Sequence, residues 1–165
     1  MTTSPLAQYL PPSSNGGLLP YWMLLISHVP LPLLSLSPGP PPLNLPRPPR
    51  RSATAVFNSV QNYLTTALTR KVYARSPSSV NPLQARLFGV WTLTSALIRL
   101  YAAYHLSLKP VYDLALASYA LALCHFGSEA LVYRTVGLQG LAGPLVVSTT
   151  SLVWMWQQYD FYVRA

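Results

Sequence analysis

"VYDLALASYALALCHFGSEALVY", residues Val111 to Tyr133, runs for 23 residues with two acids, Asp113 and Glu129, and no Lys or Arg. A helix needs about 20 predominantly apolar residues to cross hydrocarbon, so this stretch predicts a membrane-spanning helix. The run before it, "LFGVWTLTSALIRLYAAYHL" (Leu87 to Leu106), carries one charge, Arg99, and predicts a second. A short turn around Lys109 and Pro110 joins the two. After it, Arg134 and the glycines Gly137, Gly140 and Gly143 read as a connection to a further span, "LAGPLVVSTTSLVWMWQQY", from about Leu141 to Tyr159. Trp154, Trp156, Tyr159 and Tyr162 crowd the end of that span, where interfacial aromatics gather.

Composition supports the same class. Only 8% of the 165 residues are charged, against about 25% in typical soluble domains. Hydrophobic residues make up 51%, and mean hydropathy is +0.30 even though 17 prolines dilute it. Net charge is +8, from 11 Lys and Arg against Asp113, Glu129 and Asp160. The basic residues lie between the apolar runs or in one proline-rich stretch, as positive loops beside membrane spans do. No basic face alternates with aromatics, so a nucleic-acid interface is not indicated. The single cysteine, Cys124, cannot form an intrachain disulfide and reads as a small packing residue.

The N-terminal third is less regular. Residues 1–17 are polar, uncharged and rich in Ser and Pro, and read as a disordered tail. "LLPYWMLLIS" (Leu18 to Ser27) has no basic residues before it and no small-residue cleavage site after it, unlike a signal peptide. Residues 29–52 hold nine of the 17 prolines, a density that blocks helix formation and suits a polyproline-like linker outside hydrocarbon. "ATAVFNSVQNYLTTAL" (Ala53 to Leu68) is again short for a span. Joined, the two apolar pieces make a 26-residue helix, so residues 29–52 read as an interruption of one helix, of the kind an unspliced intron leaves. The other reading is a genuine insertion, with Leu18 to Leu36 a proline-kinked segment. Residues 70–86, with Arg70, Lys71, Arg75 and Arg86, read as a basic cytosolic loop, which places both termini in the lumen.

The expected fold is therefore all-α: a polytopic membrane protein, a four-transmembrane-helix bundle over residues 18–165. Its helices cover about 18–27 plus 53–68, 87–106, 111–133 and 141–159, the first interrupted by the proline-rich insertion 29–52.

Charge inside a membrane costs several kcal/mol unless paired or wetted, so the polar residues of these spans are the candidate sites. Ala115, Ser118, Ala122, His125 and Glu129 share one stripe, and Thr92, Ser95, Ala96, Arg99, Ala102 and Ala103 share another. Small stripes of this kind suit helix–helix contact in lipid. Counting from the turn, Glu129 falls level with about residue 88, which predicts a Glu129–Arg86 pair at the membrane boundary. Asp113 near the turn is expected to meet Arg99. His125 and Glu129 at i, i+4 resemble half a metal site, short of the three protein ligands a metal usually needs; His105 lies toward the opposite boundary. The glycines of the 137–143 segment lack nucleotide-loop spacing, and no P-loop or Gly-x-Ser-x-Gly elbow occurs. Neither an enzyme nor a cofactor is indicated.

"NPLQARLFGVWTLTSALIRLYAAY" (Asn81 to Tyr104), "VYDLALASYALALCHFGSEALVY" and "GPLVVSTTSLVWMWQQYDFYV" (Gly143 to Val163) resemble the ergosterol biosynthetic protein 28 family, as does "FNSVQNYLTTALTRKVY" (Phe57 to Tyr73). The resemblance covers about residues 18–27 and 53–165, and in that family the first helix runs on where this chain has residues 29–52. It implies a non-enzymatic scaffold of the endoplasmic-reticulum membrane. The implied partners are the sterol C-4 methyl oxidase, the sterol C-3 dehydrogenase/decarboxylase and the 3-keto sterol reductase, with contact to the sterol C-24 methyltransferase. A sterol-binding or sterol-transfer protein is the competing reading.

Overall fold

The computed structural model describes residues 17–28 and 60–163. The tail 1–16, the proline-rich stretch 29–52 and residues 53–59 lie outside the described residues, and with them the expected join of the first helix; its second piece is described from residue 60 and is broken at Thr65 and Thr66. The described elements are α1 (Leu19–His28), α2 (Ala67–Val72), a 3-10 turn (Pro77–Ser79), α3 (Pro82–Tyr104), α4 (Lys109–Leu131), α5 (Leu138–Gln157) and α6 (Tyr159–Val163). Residues 60–64 are also helical, and no strand occurs among the described residues.

Local chemistry sets several of these boundaries. The Asn81 side chain accepts a hydrogen bond from the Gln84 amide at 2.8 Å, and Pro82 takes the first helical position, where its missing amide proton costs nothing. α3 therefore starts five residues before the expected span, and the stretch 70–86 is part helix rather than one loop. Pro110 likewise opens α4, so Lys109 is helical and not part of the turn. Arg134, at φ 55°, adopts the left-handed conformation that turns the chain after α4.

The glycine-rich connection is also shorter than expected, because α5 begins at Leu138 and takes in Gly140 and Gly143. Gly140 sits against the Val72 backbone, where an added Cβ would strike the Val72 carbonyl oxygen. The Gly137 amide donates to that same carbonyl at 3.3 Å, and the Arg75 amide donates to the Thr135 carbonyl at 3.0 Å. These bonds fasten the end of α2 to the start of α5.

α3 and α4 form an antiparallel hairpin. Arg99 meets Ser118 and Trp91 meets Phe126, two pairs centred on the same point of the turn, between residues 108 and 109. α4 packs most extensively on α5, and α1 lies along α3. Two apolar clusters hold the assembly. One gathers Leu19, Met23, Ala102, Ala103, Tyr112, Ala115, Tyr119, Met155 and Tyr162; the other gathers Tyr73, Val80, Phe126 and Val136. Trp22 Nε1 donates to Ser151 Oγ at 3.0 Å, and the Leu19 amide donates to the Tyr162 hydroxyl at 3.3 Å, tying α1 to α5 and α6.

Among the described residues two helices, α4 and α5, are long and apolar enough to cross a membrane. Only 28% of the apolar window of each is buried, whereas the core helix of a soluble protein would be mostly buried. α3 has the length, at 23 residues, but Gln84, Arg86, Thr92, Thr94, Ser95 and Arg99 dilute its apolarity. α1 alone has 10 residues, too few to span. Cys124 is exposed on α4 rather than packed inside.

Candidate functional site

The polar residues of α3 and α4 fall into three groups along the bundle. At the turn, Lys109 Nζ lies 2.8 Å from Asp113 Oδ2 and donates to the Tyr159 hydroxyl at 2.7 Å. That hydroxyl in turn donates to Asp113 Oδ1 at 2.7 Å. The expected Asp113–Arg99 contact is not formed. Lys109 lies one turn from Asp113 on the same helix, and an i, i+4 partner needs little ordering. Arg99 engages Ser118 instead, five residues or about 7.5 Å further along α4.

In the middle, Arg99 Nε donates to Ser118 Oγ and an Nη donates to the Ser118 carbonyl, both at 3.2 Å. The guanidinium carbon lies 4.0 Å from the centroid of the Tyr119 ring, close enough for cation–π attraction. No carboxylate among the described residues pairs with Arg99: the ion pair found there is Lys109–Asp113. Arg99 is thus a partly buried cation held by a hydroxyl, a carbonyl and a ring, without an anion. The stripe read from sequence supplies Ser118 to this setting, and Ala115 and Ala122 on the same stripe are buried with it.

At the far end, His125 and Glu129 stand on α4 beside Tyr73. The Tyr73 hydroxyl and His125 Nε2 are hydrogen-bonded at 2.8 Å. Trp91 and Phe126 pack against the imidazole, with ring centroids 5.1 and 5.2 Å away. Glu129 accepts a hydrogen bond from the Thr135 hydroxyl, while its backbone carbonyl accepts from the Thr135 amide. The expected Glu129–Arg86 pair is not formed either. The depth match was sound, but the turn through Arg134 brings a local hydroxyl to the carboxylate. Burial pushes the Tyr73 phenol well above its ordinary value, and the nearby Glu129 charge adds to the shift. Tyr73 was missed in the sequence because it lies in a basic stretch with no periodicity. Among the described residues, no three of His, Cys, Asp and Glu come together as a metal site.

Between Tyr73, α3 and α4 lies a groove of about 400 Å³. Phe88 and Trp91 form one wall, and Leu87 and Leu121 flank its mouth.

The described residues form an all-α protein in which two apolar helices are long enough to cross a membrane and a polar seam runs along α3 and α4. The profile of the family described as "Erg28 like protein" matches residues 52–153, and this chain belongs to that family. It is 44% identical over 154 residues to ergosterol biosynthetic protein 28 of Candida albicans, covering 93% of this chain and 94% of that one. It is also 44% identical over 148 residues to the Saccharomyces cerevisiae protein of that name, covering 88% and 83%. The Schizosaccharomyces pombe relative is 50% identical over 105 residues, covering 63% and 76%. No solved structure matches.

Proposed function

We propose that this chain is a non-catalytic, multi-pass scaffold of the endoplasmic-reticulum membrane that tethers sterol C-4 demethylation enzymes in ergosterol biosynthesis. The observation that carries the reading is Arg99, a cation on the α3–α4 seam with no carboxylate partner among the described residues. An ionisable group at that position in a membrane is expensive and calls for a partner. Asp113, the nearer acid along α4, is taken by Lys109 and Tyr159, and Glu129, bonded to Thr135, stands about 16 Å beyond Ser118. A carboxylate on a docking membrane helix would complete the site, approaching over the half-buried Ser95 and Ala96 one turn before Arg99 on α3. The enzymes it would hold are the C-4 methyl oxidase, the C-3 dehydrogenase/decarboxylase and the 3-keto reductase, with the C-24 methyltransferase as a neighbour.

Tethering works through effective concentration. Enzymes held on one hub meet a poorly soluble intermediate before it diffuses away, without any chemistry by the hub. In this reading α3 spans the membrane beside α4 and α5, and residues 18–27 with 53–68 supply the remaining span. The family match begins at residue 52, where the proline-rich stretch ends, which favours reading 29–52 as an interruption.

The test is affinity purification of the tagged full chain in mild detergent. Wild type should retain the three enzymes, Arg99→Ala should lose at least one of them about tenfold, and Arg99→Lys should retain part of the binding. Equal retention by all three forms would remove Arg99 from the docking surface.

A further inference from the structure

The groove at the far end of the α3–α4 seam has the parts of a lipid site. Its walls are rings: Tyr73 and Phe88 meet edge-on at 5.9 Å, and Trp91 lies 5.7 Å from Phe88 and 5.1 Å from His125. Its mouth is flanked by Leu87 and Leu121, exposed at 61% and 64%, so on helices set in a membrane the groove opens to lipid rather than to water. Gln84 lies at the rim. Its volume of about 400 Å³ falls in the range of small-molecule sites. No Lys, Arg, Asp or Glu lines it.

The polar content of the groove is narrow. Tyr73 and His125 share one hydrogen bond, and whichever of them donates, the phenol oxygen keeps a lone pair for a further donor. A single hydroxyl group suits that lone pair. A phospholipid headgroup would find no charge to meet its own, and a fatty-acyl chain would leave the polar pair unused. Flat aromatic walls favour a rigid alicyclic body over a flexible one, since less freedom is lost on binding.

We propose that this groove binds the ring system of a sterol, with its hydroxyl group donating to Tyr73 and its rings lying against Phe88 and Trp91. The inference rests on the membrane placement of α3 and α4 but not on the tethering of enzymes. It gives the chain a ligand as well as partners, so the hub would hold a sterol near the enzymes docked on it.

The experiment uses the purified full chain in lipid nanodiscs with a photoreactive ergosterol analogue, its labelled residues mapped by mass spectrometry. Labelling should be saturable, competed by ergosterol, and confined to peptides carrying Leu87–Trp91 and Leu121–His125. The 3-methyl ether of ergosterol, which cannot donate, should compete about tenfold more weakly, the worth of one hydrogen bond in an apolar site. Leu121→Trp, which fills the mouth and spares the Tyr73–His125 pair, should abolish labelling, whereas Trp22→Phe on α1 should leave it unchanged. Labelling spread evenly over all helices, equal competition by the methyl ether, or full labelling of Leu121→Trp would each overturn the proposal. Co-purification of enzymes is read separately, so loss of tethering with intact labelling sinks the scaffold reading alone.

Discussion

Tyr73 is held in its neutral form by burial first and by Glu129 second. Its folded pKa is therefore raised above the unfolded value near 10.0. Its contribution to stability is complete below that value and is lost only as pH rises through the higher folded one. A difference absorbance titration, wild type minus Tyr73→Phe, should accordingly show no phenolate signal at about pH 10, where an ordinary phenol is half ionised; a normal titration there would mean that the phenol is solvated. Tyr73→Phe also strips His125 of its hydrogen bond, which should lower stability in detergent by about 0.5–1.5 kcal/mol. Sequence spacing brought His125 and Glu129 onto one stripe of α4, but their partners were not legible. Tyr73 comes from a segment 52 residues away from His125, and Thr135 reaches Glu129 only because Arg134 turns the chain back.

The α2–α5 junction makes a sharper demand on single atoms than any helix interior here. Gly140→Ala would drive a methyl group into the Val72 backbone, which cannot yield as a flexible side chain would. Overpacking of that kind should cost about 1–3 kcal/mol. Gly127 on α4 is the control, since a Cβ there meets nothing within 4 Å, and Gly127→Ala should be neutral or slightly stabilising through helix propensity. Thermal unfolding of both variants in detergent checks the pair, and equal loss from both would mean that the junction is loose. Three glycines within seven residues are the ordinary mark of a loop, so the start of α5 is not legible without its contact with Val72. The α3–α4 hairpin, by contrast, was readable: two apolar runs and a short turn set its register, and Arg99–Ser118 and Trp91–Phe126 follow that register.

For the whole molecule, apolar length alone pointed to helices in a membrane, and α4 and α5 meet that description. How many helices cross is tested by placing glycosylation acceptors in turn in the α3–α4 turn, the α4–α5 connection and after α6. Four spans predict modification after α6 and in the α3–α4 turn, with none in the α4–α5 connection, because alternate connections then face the lumen. Two spans would put the α3–α4 turn and the chain after α6 on the same side, with the α4–α5 connection opposite, so the decisive acceptor is one placed in the basic stretch 73–80. Four spans leave that acceptor unmodified beside the α4–α5 connection, and a chain in which α3 does not cross puts it on the side of the α3–α4 turn. In the proposed role the chain organises sterol C-4 demethylation without catalysing it. The most direct measurement of that role is the sterol profile of a strain lacking this gene, taken with enzyme activities in the same membranes. Accumulated C-4-methylated sterols are expected although each demethylation enzyme, assayed alone, keeps its turnover; an unchanged sterol profile would contradict the proposed role.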